Sequence, residues 1–117
     1  ADRVTLWGSG TPLREFLHVD DLADALLFLM ASYSGESHVN VGVGNDLTIR
    51  ELAEMMRDVV GFQGELVFDR SKPDGTPRKL VDTTLINRLG WHAKINLKQG
   101  LEEAYSWYIE NLASART

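Results

Sequence analysis

Two short polar segments hold the residues best suited to chemistry. They are Trp7-Gly8-Ser9-Gly10-Thr11-Pro12-Leu13-Arg14 and Lys72-Pro73-Asp74-Gly75-Thr76-Pro77-Arg78-Lys79. Each sets cations and hydroxyls beside Gly and Pro, which stiffen a turn and lower the entropy lost when it closes on a ligand. Arg78 can offer a planar fork to a phosphate, and Lys79 a point charge, while Arg14 sits at the start of the next strand. Asp74 can accept from ribose hydroxyls or from the N–H edge of a purine. Trp7 ends a strand beside the first segment, where its ring could flank a base or a sugar. A solvated surface turn would account equally for the second segment, and a β-hairpin with a core Trp for the first. The whole chain carries 17 Asp and Glu against 12 Lys and Arg, a net charge of -5. Cations gathered on two rigid turns of an acidic protein point to a discrete anionic ligand. They exclude a general polyanion surface, so nucleic acid is not expected as a partner.

Other chemistry-bearing residues have simpler explanations. Asp20 and Asp21 could be paired carboxylates for acid–base work, but they stand at the start of an amphipathic helix, where capping explains them. His18, between Leu17 and Val19, reads as a packed or hydrogen-bonded histidine. His38 and His92 are widely spaced from it and show no metal-ligand pattern. The absence of cysteine removes a thiolate metal site, a disulfide framework and a Cys nucleophile, and is compatible with the cytoplasm. Gly42-Val43-Gly44 is too short for a phosphate-binding fingerprint. There is no nucleotide-binding Gly motif at the start of the chain and no Tyr-x-x-x-Lys pair. No catalytic residue, cofactor-binding residue or metal ligand is therefore assigned.

The elements that must position the two segments follow from periodicity and stop signals. The 117 residues fit one domain with a small core. Strands are expected at Val4 to Trp7, Glu15 to Val19, His38 to Val41 and Glu65 to Phe68. Helices are expected from Leu22 to Tyr33, after a Thr48/Glu51 capping box until Gly61, from Leu85 to Leu89 with Thr83 or Thr84 as cap, and from Leu97 to Leu112. No apolar run is long enough to cross a membrane. The result is a mixed α/β unit with few short strands and three or four helices. Starting directly in a strand, it reads as part of something longer.

Together these segments resemble a family. Val4 to Trp7, the Gly8–Arg14 loop, Glu15-Phe16-Leu17-His18-Val19-Asp20-Asp21, Asn40-Val41-Gly42 before Thr48-Ile49-Arg50-Glu51-Leu52-Ala53, and the Lys72–Leu80 loop look like the C-terminal part of the GDP-L-fucose synthases. That family belongs to the extended short-chain dehydrogenase/reductases, which act on nucleotide sugars. The Arg-Glu-Phe-x-His-Val-x-Asp stretch is shared with many nucleotide-sugar epimerases and dehydratases, whereas the two Gly/Pro loops are more specific. The resemblance implies 3,5-epimerisation of GDP-4-keto-6-deoxy-D-mannose and NADPH-dependent reduction to GDP-L-fucose. It places Trp7, Arg14, Asp74 and Lys79 at substrate-binding positions. It also implies that residues 1–117 form a single GDP-sugar-binding domain. The NADP(H)-binding N-terminal Rossmann domain and the catalytic residues lie upstream, so this stretch alone is expected to be inactive and to bind no cofactor. The family's homodimer contacts come largely from upstream helices. The alternatives are the substrate domain of another nucleotide-sugar epimerase or dehydratase, and a non-enzymatic α/β interaction module.

Overall fold

The computed structural model describes residues 2–36 and 38–112. Strand β1 (Arg3–Trp7) pairs in parallel with β4 (Glu65–Asp69), in a register that sets Arg3 against Glu65 and Trp7 against Asp69. A second, three-stranded sheet has the order β3-β2-β5, built from the two-residue strands β2 (Leu13–Arg14), β3 (Leu47–Thr48) and β5 (Arg78–Lys79). There β2 runs antiparallel to β3 and parallel to β5. Four helices complete the mixed α/β architecture: α1 (Val19–Ser32), α2 (Ile49–Val60), α3 (Thr84–Leu89) and α4 (Leu97–Glu110). None is long and apolar enough to cross a membrane among the described residues.

Helix α2 behaves as its sequence requires. The Thr48 hydroxyl accepts from the Glu51 N–H at 3.0 Å, and the Glu51 carboxylate accepts from the Thr48 N–H at 2.9 Å. Gly61 ends the helix in the left-handed region at φ 75°, which glycine adopts without a Cβ clash. The apolar face of α2 lies over the first sheet. A trough of about 370 Å³ remains between them, lined by Val4, Leu6, Leu52, Met56, Phe62 and Leu66 among others.

Helix α1 begins earlier than its charges suggest. The expected caps Asp20 and Asp21 already lie in its first turn, and His18 is the N-cap, its Nδ1 accepting from the Asp20 N–H at 3.0 Å. That bond puts the ring proton on Nε2, which lies 3.4 Å from a Glu103 carboxylate oxygen on α4. Asp21 turns inward and is buried. Its carboxylate accepts from the backbone N–H groups of Lys94 and Ile95, tying α1 to the segment that leads into α4.

Two expected strands do not form. The stretch Glu15 to Val19 forms no strand beyond β2, which ends just before it, because the Glu15 carboxylate takes backbone donors of the flanking segments at Val43, Gly44 and Val81, and the His18 ring takes the Asp20 N–H. His38 to Val41 has no neighbouring strand among the described residues. Val39 and Val41 pack instead on the buried cluster Ala25, Ile86 and Trp91. At α3, Thr83 occupies the cap position without capping. Asp82 accepts from both the N–H and the hydroxyl of Thr84, while Thr83 donates to Asn87.

The molecule is open for its length. Its radius of gyration is 17.1 Å, against about 13 Å for a compact domain of this size. Leu26, Leu27 and Met30 of α1 stay exposed, as do Trp107 and Ile109 of α4.

Candidate functional site

Because β1 and β4 are parallel, both strands leave the sheet at the same end, and the two polar segments meet there. The Gly8 N–H donates to the Asp69 carbonyl at 2.9 Å. The Asp74 carboxylate then clasps the first loop, accepting from the Ser9 N–H at 2.8 Å and from the Ser9 hydroxyl at 2.7 Å. With its proton committed to Asp74, the Ser9 oxygen accepts from the Thr11 hydroxyl at 2.8 Å. The clasp requires glycine at position 8, where φ is +93° and any Cβ would run into the Asp74 carboxylate. Beside it Trp7 is 71% exposed, with the Lys72 ammonium 5.0 Å from its ring centroid. Its ring is open to a ligand and does not lie in the core.

Past the loops the backbones zip together. The Leu13 N–H donates to the Pro77 carbonyl at 2.8 Å, and the register then sets Arg14 directly against Lys79. Paired residues on neighbouring strands project from the same face, so the two cations stand side by side. Arg14 spends one guanidinium N–H on the Leu13 carbonyl at 2.7 Å. Among the described residues no carboxylate pairs with either cation. Arg78 differs. Its guanidinium grips Asp46 through Nε at 2.7 Å and Nη2 at 3.3 Å, which pins the second loop to the approach to β3. The phosphate role open to Arg78 in the sequence is thus taken by an internal ion pair.

The Asp74 carboxyl is held below its ordinary value of 3.8, first by the Ser9 hydroxyl, then by the Ser9 N–H, with the Arg70 charge adding to them. A depressed carboxylate stabilises the folded state fully above its unfolded pKa and loses that contribution as pH falls through the lowered value. The clasp is therefore intact at neutral pH and opens only in acid below the ordinary carboxylate range. In an NMR pH titration the Ser9 amide resonance should move only there, and Asp74→Asn should remove the transition.

Glu15 holds the rear of the site. Its carboxylate accepts from the N–H groups of Val43 at 2.7 Å, Gly44 at 2.6 Å and Val81 at 3.0 Å. Spacing in the sequence does not reveal this role, nor that of Ser9, because each pairs with a partner far along the chain. The N-termini of the three longer helices are already closed. His18 caps α1, whose first turn carries Asp20 and Asp21, Glu51 closes α2, and Asn96 caps α4.

The model of the NAD dependent epimerase/dehydratase family matches residues 1–42. The chain is 63% identical to the probable GDP-L-fucose synthase 1 of Oryza sativa subsp. japonica over 99% of its own length. It is 52% identical to the GDP-L-fucose synthase of Escherichia coli (strain K12) over 95% of its length. It spans 35% and 37% of these two relatives, about a third of each. Among solved structures, a GDP-L-fucose synthetase from Naegleria fowleri bound to NADP superimposes with a TM-score of 0.92 at 32% identity, covering 98% of this chain and 37% of that one.

Proposed function

We propose, on the premise that this chain belongs to the GDP-L-fucose synthases of the NAD-dependent epimerase/dehydratase family, that it is the GDP-sugar-binding part of such an enzyme. The observation that carries the reading is the convergence of the two loops, which leaves Arg14 and Lys79 in register and without acidic partners. Two such cations suit a diphosphate, with the Arg14 fork making directed bonds and Lys79 adding charge. Trp7 packs against the nucleotide sugar. Asp74 reads the nucleoside end. A carboxylate has about four lone-pair sites, so Asp74 can hold Ser9 and still accept from a ribose hydroxyl or from guanine N–H groups.

The reaction served is 3,5-epimerisation of GDP-4-keto-6-deoxy-D-mannose and reduction to GDP-L-fucose. This chain's part in it is to bind and orient the substrate. NADP(H) does not fit here. A dinucleotide pyrophosphate favours an open helix N-terminus, whereas α1 presents Asp20 and Asp21 and the caps of α2 and α4 are internally satisfied. The cofactor site and the proton-transfer groups are assigned to the rest of a longer protein, and residues 1–117 act as one substrate-binding unit.

An NMR titration with GDP, with UDP as control, tests the reading. The expected result is a set of shifts confined to the surroundings of Trp7, Arg14, Asp74 and Lys79 and seen with GDP only. Equal responses to both nucleotides would favour another nucleotide-sugar enzyme. No response in a folded sample would sink the proposal.

A further inference from the structure

We infer that Glu15 is a positioning residue that sets the spacing of the Arg14–Lys79 pair; the inference rests on the GDP-sugar reading above. Glu15 directly follows Arg14 at the end of β2, and consecutive side chains along a strand project from opposite faces. From there its carboxylate reaches both flanks of the strand. On one side it accepts from Val43 and Gly44, which lead into β3. On the other it accepts from Val81, just beyond β5.

The two-residue strands β2 and β5 have little ladder of their own to fix their separation. The Glu15 carboxylate supplies the missing constraint, at the point where Arg14 and Lys79 must match the span of two phosphates. It is half-buried, and these three N–H groups supply its hydrogen bonds. Charge-assisted bonds of this kind are short and directional. Close approach matters too: a Cβ at Gly42 would meet the Glu15 carboxylate at 2.7 Å.

The Glu15→Gln variant keeps the volume, removes the charge and points an amide N–H₂ at backbone donors. A residue that only stabilises the fold would lower the folded fraction and leave the preference of folded molecules for GDP over GMP unchanged. A residue that sets the cation spacing acts on the second phosphate alone. The experiment titrates wild type, Glu15→Gln and Arg14→Ala with GDP and with GMP, and follows folding by circular dichroism. The expected result is a GDP-over-GMP preference in wild type that falls about tenfold in Glu15→Gln, the equivalent of one charged hydrogen bond, with GMP affinity unchanged. Glu15→Asp retains the charge but retracts it by one methylene, and should lie between the two. It also serves as the test if Glu15→Gln does not fold. An unchanged GDP/GMP ratio in folded variants of a wild type that binds GDP overturns this inference alone. Absence of GDP binding by folded wild type overturns the reading on which it rests, and the inference with it.

Discussion

Arg14→Ala is expected to weaken GDP binding by about 10- to 100-fold, the loss of roughly 1.5–3 kcal/mol that accompanies a charged hydrogen bond. Arg14 makes one internal bond, to the carbonyl of its own neighbour Leu13, and no ion pair among the described residues. Its charge is therefore free for a ligand, and removing it should leave the unfolding midpoint nearly in place. Arg14→Lys should recover part of the loss, because the charge returns without the planar fork. The effect should shrink as salt rises, since Lys79 is exposed and Arg14 only half-buried, so that salt screens both charges. Isothermal titration at two ionic strengths checks the three statements about binding, and thermal denaturation checks the midpoint. An Arg14→Ala chain that binds GDP as wild type does would remove Arg14 from the site. Arg78→Ala should behave differently: it breaks the grip on Asp46 and should loosen the second loop without removing a ligand contact.

The second large effect concerns stability. Asp21→Ala should cost about 2–4 kcal/mol, because it removes a buried carboxylate and leaves the part-buried backbone N–H groups of Lys94 and Ile95 without their charged acceptor. That is a large part of the ~5–15 kcal/mol that holds a domain together. Asp21→Asn keeps one acceptor oxygen and should lose less. Asp20→Ala, on an exposed carboxylate of the same helical turn, should cost no more than about 1 kcal/mol through the helix dipole. Urea denaturation of the three variants separates a tether from a pair of equivalent caps. Similar midpoints for Asp20→Ala and Asp21→Ala would contradict the tether.

The contrast between these neighbouring residues shows which features were legible. Signals that act within a few positions are legible in the sequence: the Thr48/Glu51 capping box, the left-handed stop at Gly61, and the mixed α/β character with short strands. The two polar loops stood out by composition, and 63% identity to a GDP-L-fucose synthase supports the family read from them. What composition could not disclose was pairing. Asp20 and Asp21 are identical in type and adjacent, yet only Asp21 finds backbone donors more than seventy residues on. Arg78 and Lys79 look equally suited to a phosphate, and a distant Asp46 separates them. His38 to Val41 alternates as a strand should, but a strand needs a neighbour, and its valines found a core instead.

The parallel pairings also govern how the chain assembles. Ser9 and Asp74 are 65 positions apart, and Glu15 reaches Val81 across 66. Contacts of such high order form late, after the loop-closure entropy has been overcome by local helices and turns. The proposed ligand site thus coincides with the seam where residues 9–15 meet residues 74–81. A nascent chain cannot assemble these contacts until residues 74–81 have been synthesised. Any ligand that bridges the seam also holds the folded state against reopening there, so affinity and resistance to unfolding rise together.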